Sequence, residues 1–148
     1  MRAATDVIEA LGLQAHPEGG WYAETWRAPS LAGERPSASA IVYLLAAGER
    51  SHWHRVDAAE VWQISAGDPL ELRVWTEGDG ALTVHCLATD LAVGSVVQVV
   101  VPAGTWQAAR SLGAWTLVGC IVSPAFEFDG FELAPPGWEP PAGRGNAG

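Results

Sequence analysis

The sequence predicts an all-β fold, a sandwich or barrel of short strands preceded by one short helix. Three observations carry this expectation. From Gly20 onward, segments rich in Val, Ile, Leu, Thr and Trp recur at intervals of roughly ten residues, separated by turn residues. Helical spacing of apolar residues is confined to the start of the chain. A length of 148 residues with 49% hydrophobic content can bury one good core and leaves no room for a second full domain.

Residues 1–14 hold the predicted helix. Thr5 can cap it, Asp6 suits its first turn, Val7, Ile8 and Leu11 recur at helical spacing, and Gly12 lies near its end. Strands are expected near 21–27, 38–46, 50–56, 60–66, 69–76, 81–87, 95–101, 105–109, 114–123 and 127–133. Within this series, Leu70–Thr76 and Ala81–Cys86 flank the turn residues Glu77-Gly78-Asp79-Gly80 and predict a hairpin. The nearly unbroken apolar run Val96–Val101 predicts a strand covered on both faces. The Pro/Gly-rich tail 135–148 is expected to be irregular, which leaves 1–134 as a single domain.

Charge and composition exclude several function classes. A net charge of −9 with only eight Lys+Arg lacks the electrostatic footprint that nucleic acid or an anionic membrane surface requires. The first ten residues include acids and carry no apolar block, and no apolar run reaches membrane-spanning length, so a cytoplasmic location is expected. Cys86 and Cys120 form no CxxC pair and read as two reduced, buried thiols.

Potential chemistry concentrates between Gly48 and Gly67, where His52, His54 and Glu60 lie in one strand-turn-strand stretch. Residues two apart on a strand share a face, so His52, His54 and Val56 should look one way, and Glu60, Trp62 and Ile64 should share a face of the returning strand. If both faces enter one cavity, they make a pocket, and a His beside a carboxylate in an apolar cavity suits general acid–base work. A second constellation runs from His16-Pro17-Glu18-Gly19-Gly20 into a strand on which Tyr22, Glu24 and Trp26 should share one face, with Glu24 entering the pocket. Of the eight tryptophans, Trp62 and Trp106 are expected to line that pocket, and Trp75 and Trp115 to be core residues.

These spacings resemble the two motifs of the cupin superfamily: Gly, five residues, His-x-His, three or four residues, Glu, six residues, Gly, followed later by Pro-x-Gly-x-x-His. Taking His54 as the first histidine aligns Gly48, Glu60 and Gly67, and places Val56 and Gln107 where further ligand histidines would stand. The combination of His16-Pro17-Glu18-Gly19-Gly20, Trp53-His54-Arg55-Val56, Val101-Pro102-Ala103-Gly104, Trp106-Gln107 and Phe126-Glu127-Phe128 resembles a small cupin subfamily of uncharacterised function. The resemblance implies a double-stranded β-helix, or cupin jelly roll, and a homodimer.

The functional expectation is a small-molecule-binding protein, an isomerase or epimerase acting on a sugar-like or carboxylated metabolite without a tightly bound metal. His54 and Glu60 would be catalytic, and Tyr22, Glu24, Trp62, Trp106 and Gln107 would bind the ligand. Two alternatives stay open: a metal-dependent enzyme with His52, His54 and Glu60 holding Zn, Fe, Ni or Mn, and a non-enzymatic binding or storage protein.

Overall fold

A computed structural model describes residues 2–141 as two facing six-stranded sheets with one short helix. The helix, α1, spans Ala4–Leu11. Its N-cap is Ala3 and no side chain caps it, so Thr5 lies inside the first turn rather than before it. Asp6 does sit in that first turn, where the helix dipole favours an acid, and Gly12 ends the helix in the left-handed conformation at φ 64°.

The first sheet holds β1 (Gln14–Ala15), β2 (Trp21–Arg27), β3 (Ser39–Ala46), β11 (Trp115–Ser123), β5 (Ala59–Gly67) and β9 (Gln98–Val101), in that spatial order. The second holds β12 (Phe131–Leu133), β4 (Arg50–Val56), β10 (Trp106–Ser111), β6 (Leu70–Trp75), β7 (Leu82–Leu87) and β8 (Ser95–Val96). All pairings are antiparallel except β7 with β8, and β6 with β7 is the predicted hairpin. This is a jelly roll of two sheets rather than a closed barrel. Among the described residues, no helix is long and apolar enough to cross a membrane.

Alternation along each strand separates the layers. Tyr43, Leu45, Trp62, Ile64, Leu72 and Val118 point between the sheets and form the main core. Leu44, on the opposite face of β3, packs with Trp115 against Val7 and Leu13, so α1 covers one end of the first sheet. On the outer face of the second sheet, Trp53, Trp75 and Trp106 cluster with Trp138, which the tail contributes.

Two expectations about elements change. The run Val96–Val101 is not one doubly covered strand: it divides into β8 and β9, and β9 is a sheet edge on which Val99 and Val101 are buried while Gln98 and Val100 are exposed. Val97 and Val100 are 39% and 57% exposed, so the outer face of this run is uncovered among the described residues. The expected strand at 127–133 is a 3₁₀ turn, Phe128–Gly130, followed by the three residues of β12. Residues 135–140 form no strand or helix, yet they are tied down: the Pro135 carbonyl lies 3.0 Å from His52 Nε2, and Glu139 accepts from Trp53 Nε1 at 3.2 Å. The rest of the predicted irregular tail, 142–148, lies outside the described residues.

Candidate functional site

A cavity of about 500 Å³ opens between the sheets at the end where β12 and the 3₁₀ turn lie. Its interior wall carries His16, Glu18, His54, Glu60 and Cys120, and its mouth carries Glu24, Arg27, Phe126, Glu127, Phe128 and Asp129.

The deepest charges come from a turn fastened to β4. His16-Pro17-Glu18-Gly19-Gly20 closes on itself through Gly19 N–H to the His16 carbonyl and His16 N–H to the Gly20 carbonyl, both 3.0 Å. Gly19 has φ +107°, and a Cβ there would lie 2.0 Å from the Arg50 carbonyl oxygen, so only glycine lets the turn approach β4 this closely. The His52 N–H then donates to the Glu18 carbonyl at 2.8 Å, and Tyr43 Oη–H donates to the Gly19 carbonyl. These contacts hold the Glu18 side chain, which is 7% exposed, inside the molecule.

Glu18 Oε2 accepts from Ser51 Oγ at 2.9 Å and from His54 Nε2 at 2.8 Å. The other ring nitrogen of His54, Nδ1, lies 2.8 Å from the His52 carbonyl oxygen and donates to it. Both nitrogens thus face acceptors, which calls for the imidazolium form. Burial works against that charge, but the Glu18 carboxylate and its hydrogen bond outweigh burial, with Glu60 adding to them, and the His54 pKa rises to about 9. The same pair acts on Glu18: burial would raise its pKa, but His54 overrides burial and lowers it. His16 behaves oppositely. Its Nδ1 accepts from the Glu18 N–H at 3.1 Å and burial lowers its pKa, so it is neutral.

Glu60 is a different kind of carboxyl. Gln107 Nε2 donates to its Oε1 at 2.8 Å, while Gln107 Oε1 accepts from Trp62 Nε1 at 2.7 Å. Burial and the nearby Glu18 charge push its pKa up to about 7, and His54 and Gln107 only partly offset them. Cys120 lies beside it on the cavity wall, with a thiol that burial pushes well above its ordinary range.

The structure brings His54, Glu60, Tyr22 and Glu24 to the cavity but separates the other predicted residues from it. In the pairing of β4 with β10, Gln107 aligns with His54 and Ala109 with Ser51, so His52 and Trp53 of β4 together oppose Ala108 of β10. This bulge puts Ser51 and His54 on the inner face and leaves His52 outside, against the Pro135 carbonyl. In β2, Glu24 aligns with Ile41 and Trp26 with Ala40, so Thr25 is an extra residue and Trp26 turns outward to 52% exposure. Trp106 belongs to the outer tryptophan cluster, and Trp62 and Gln107 lie beneath Glu60 rather than on the cavity wall. Glu24 sits at the rim, where Arg27 holds it through two bonds of 3.0 Å.

The residues that sequence reasoning did not place in the pocket are His16, Glu18, Arg27, Cys120 and the mouth segment Phe126–Phe131. A signal for Glu18 was present: a carboxylate between a proline and two glycines sits where the backbone must pass close to another strand.

The donor set does not fit the metal site expected at His52, His54 and Glu60. His52 is outside, both His54 nitrogens are committed as donors, Val56 offers no ligand, and the Gln107 amide is spent between Trp62 and Glu60. Among the described residues, no three His, Cys, Asp or Glu side chains are grouped to hold an ion.

Residues 5–134 match the family model described as "Cupin superfamily (DUF985)". Among solved structures, a protein of Shewanella oneidensis, SO0799, is similar with 40% identity and a TM-score of 0.85, over 90% of this chain and 85% of that one. A hypothetical protein from Leishmania major shares 29% identity with a TM-score of 0.81, over 90% and 88%. Oxalate decarboxylase from Bacillus subtilis, at 14% identity and a TM-score of 0.62 over 80% of this chain and 29% of that one, shares the fold. No curated protein matches the chain.

Proposed function

The chain belongs to the cupin superfamily, in the family designated DUF985, and from that premise we propose that it binds a small metabolite in the cavity between its sheets and moves a proton on it, as an isomerase or epimerase does. One observation carries this reading: Glu60 is buried on the cavity wall with a hydrogen bond from Gln107 and no cation against its carboxyl among the described residues, and burial pushes its pKa up to about 7. A carboxyl poised at the working pH can both take and return a proton, which is what a reversible proton transfer asks of a single group. His54 serves as the fixed charge. Paired with Glu18, and with both ring N–H groups donated within the protein, it stays an imidazolium whose charge limits how far burial raises the Glu60 pKa. His16, neutral and edge-on to Tyr22 at 4.6 Å, is positioned as a hydrogen-bonding neighbour.

The test is isotopic. The protein is incubated with pooled metabolites in deuterium oxide, and the pool is read by mass spectrometry for ligands that gain one mass unit. Wash-in by the wild type that disappears in Glu60→Gln supports proton transfer. Binding detected by thermal shift with no wash-in for any ligand leaves the binding or storage role in its place. Metal dependence is tested in parallel: Zn, Fe, Ni or Mn should leave the melting temperature unchanged, because no set of free donors awaits them.

A homodimer fits the same reading. Trp26, Ala40, Ile121, Val61 and Val100 align across the outer face of the first sheet, with Trp26, Ile121 and Val100 exposed. Light scattering should find a dimer, and Ile121→Glu should yield a monomer.

A further inference from the structure

The charges and rings at the cavity mouth bear on what the ligand is. Five consecutive side chains alternate in kind: Phe126, Glu127, Phe128, Asp129 and, after Gly130, Phe131. All five line the cavity. The segment is held at both ends. The Phe126 N–H donates to Ser39 Oγ at 2.9 Å, the Phe126 carbonyl accepts from an Arg27 guanidinium nitrogen at 2.9 Å, and the Gly130 carbonyl accepts from the Asp57 N–H at 3.0 Å. Its three phenyl rings pack edge-to-face, 5.0 Å apart for Phe126 and Phe128 and 5.6 Å for Phe126 and Phe131, and build one aromatic wall.

Pairing off the charges leaves one sign. The cations facing the cavity are Arg27 and His54. Arg27 is spent on Glu24 and the Phe126 carbonyl, and His54 on Glu18 and the His52 carbonyl. Glu127 comes no closer than 4.0 Å to Arg35, which is itself gripped by both carboxylate oxygens of Asp57. Asp129 has no ion pair or hydrogen bond among the described residues. The charges left over are the carboxylates of Glu127 and Asp129, joined by Glu60 when it ionises, in a chain whose net charge is −9. An anion entering such a mouth meets repulsion with no free cation to receive it.

We propose that the ligand of this cavity is a small organic cation, a protonated amine or quaternary ammonium, held between the phenyl wall and the carboxylates of Glu127 and Asp129. Aromatic faces attract cations through their quadrupole, and carboxylates at the rim add charge attraction and steer the encounter. The proposal rests on the pocket assigned above as the ligand site and replaces the carboxylated ligand expected from the sequence.

Three probes of one shape and three charges test it: choline, 3,3-dimethylbutan-1-ol and 3,3-dimethylbutanoate, titrated calorimetrically into the full chain at neutral pH and low salt. Choline should bind about tenfold more tightly than the alcohol, or better, and the butanoate should bind most weakly. The double variant Glu127→Gln/Asp129→Asn, with both positions exposed and circular dichroism confirming its fold, should lose most of that preference. The proposal is overturned if the alcohol matches choline, if the butanoate binds most tightly, or if folded wild-type protein binds none of the three. Its fate is separable from that of the proton-transfer reading. A choline preference with no deuterium wash-in on any metabolite upholds the cation and removes the chemistry, whereas wash-in on a neutral or anionic metabolite without a choline preference does the reverse.

Discussion

Glu18→Gln removes one charge from the most deeply buried ion pair among the described residues and leaves shape and hydrogen-bonding capacity nearly intact. In the wild type, Glu18 Oε2 lies 2.8 Å from His54 Nε2, and the His54 pKa is about 9 against a reference of 6.5. A folded pKa raised above the unfolded one contributes stability that is fully present below pH 6.5 and is lost as pH rises through about 9. At about 1.4 kcal/mol per pH unit, that contribution is roughly 3 kcal/mol at pH 6 and is nearly gone at pH 9. Without the carboxylate, burial is the dominant influence left, so His54 in the variant should titrate below 6.5. Urea unfolding of both proteins at pH 6 and pH 9 measures the stability gap, and two-dimensional NMR of the imidazole nitrogens follows His54 directly. A gap of similar size at both pH values, or a wild-type His54 that titrates near 6.5, would refute the account of this pair.

Other variants probe the neighbouring parts. Glu60→Gln should gain stability relative to wild type as pH rises from 4.5 through about 7, because a carboxyl with a raised pKa contributes stability below 4.5 and loses it on ionising; urea midpoints at pH 5 and pH 8 read the change in sign or size. Gly19→Ala should cost roughly 3 kcal/mol or more, since its Cβ meets the Arg50 carbonyl at 2.0 Å and its φ of +107° is strained for alanine; it should also release Glu18, so the His54 pKa should fall with it. Trp138→Ala should cost about 2 kcal/mol and shift tryptophan emission to the red by opening the outer cluster, a cost moderated because water then reaches Trp75 Nε1, which has no hydrogen-bond partner.

The strands were legible because period-two alternation and turn residues act locally, and the jelly roll followed from motifs spread along most of the chain. What stayed hidden depends on partners distant in sequence. Val96–Val101 reads as a doubly covered strand, and only the sheet order shows that β9 lies at an edge. β1 has two residues and carries too little pattern to register. The glycines after Glu18 signal a close backbone passage but not its partner, and only the fold shows that Gly19 meets the Arg50 backbone and so turns Glu18 into the pocket.

The bulge in β4 explains why the pocket holds an ion pair where spacing suggested a cluster of ligands. Had β4 kept strict alternation, His52 and His54 would share the inner face two residues apart, which is the geometry that lets two imidazoles approach one ion. The extra residue instead brings Ser51 inside, three residues before His54, and both side chains meet the same oxygen of Glu18. The carboxylate then takes the nitrogen that an ion would have needed. Because Glu18 is delivered by the glycine turn and Ser51 by the bulge, each is a backbone solution to one problem, the neutralising of His54 inside a core. Glu60, left without a cation of its own, is the group whose charge state stays open near neutrality, and its reactivity depends on His54 being satisfied elsewhere.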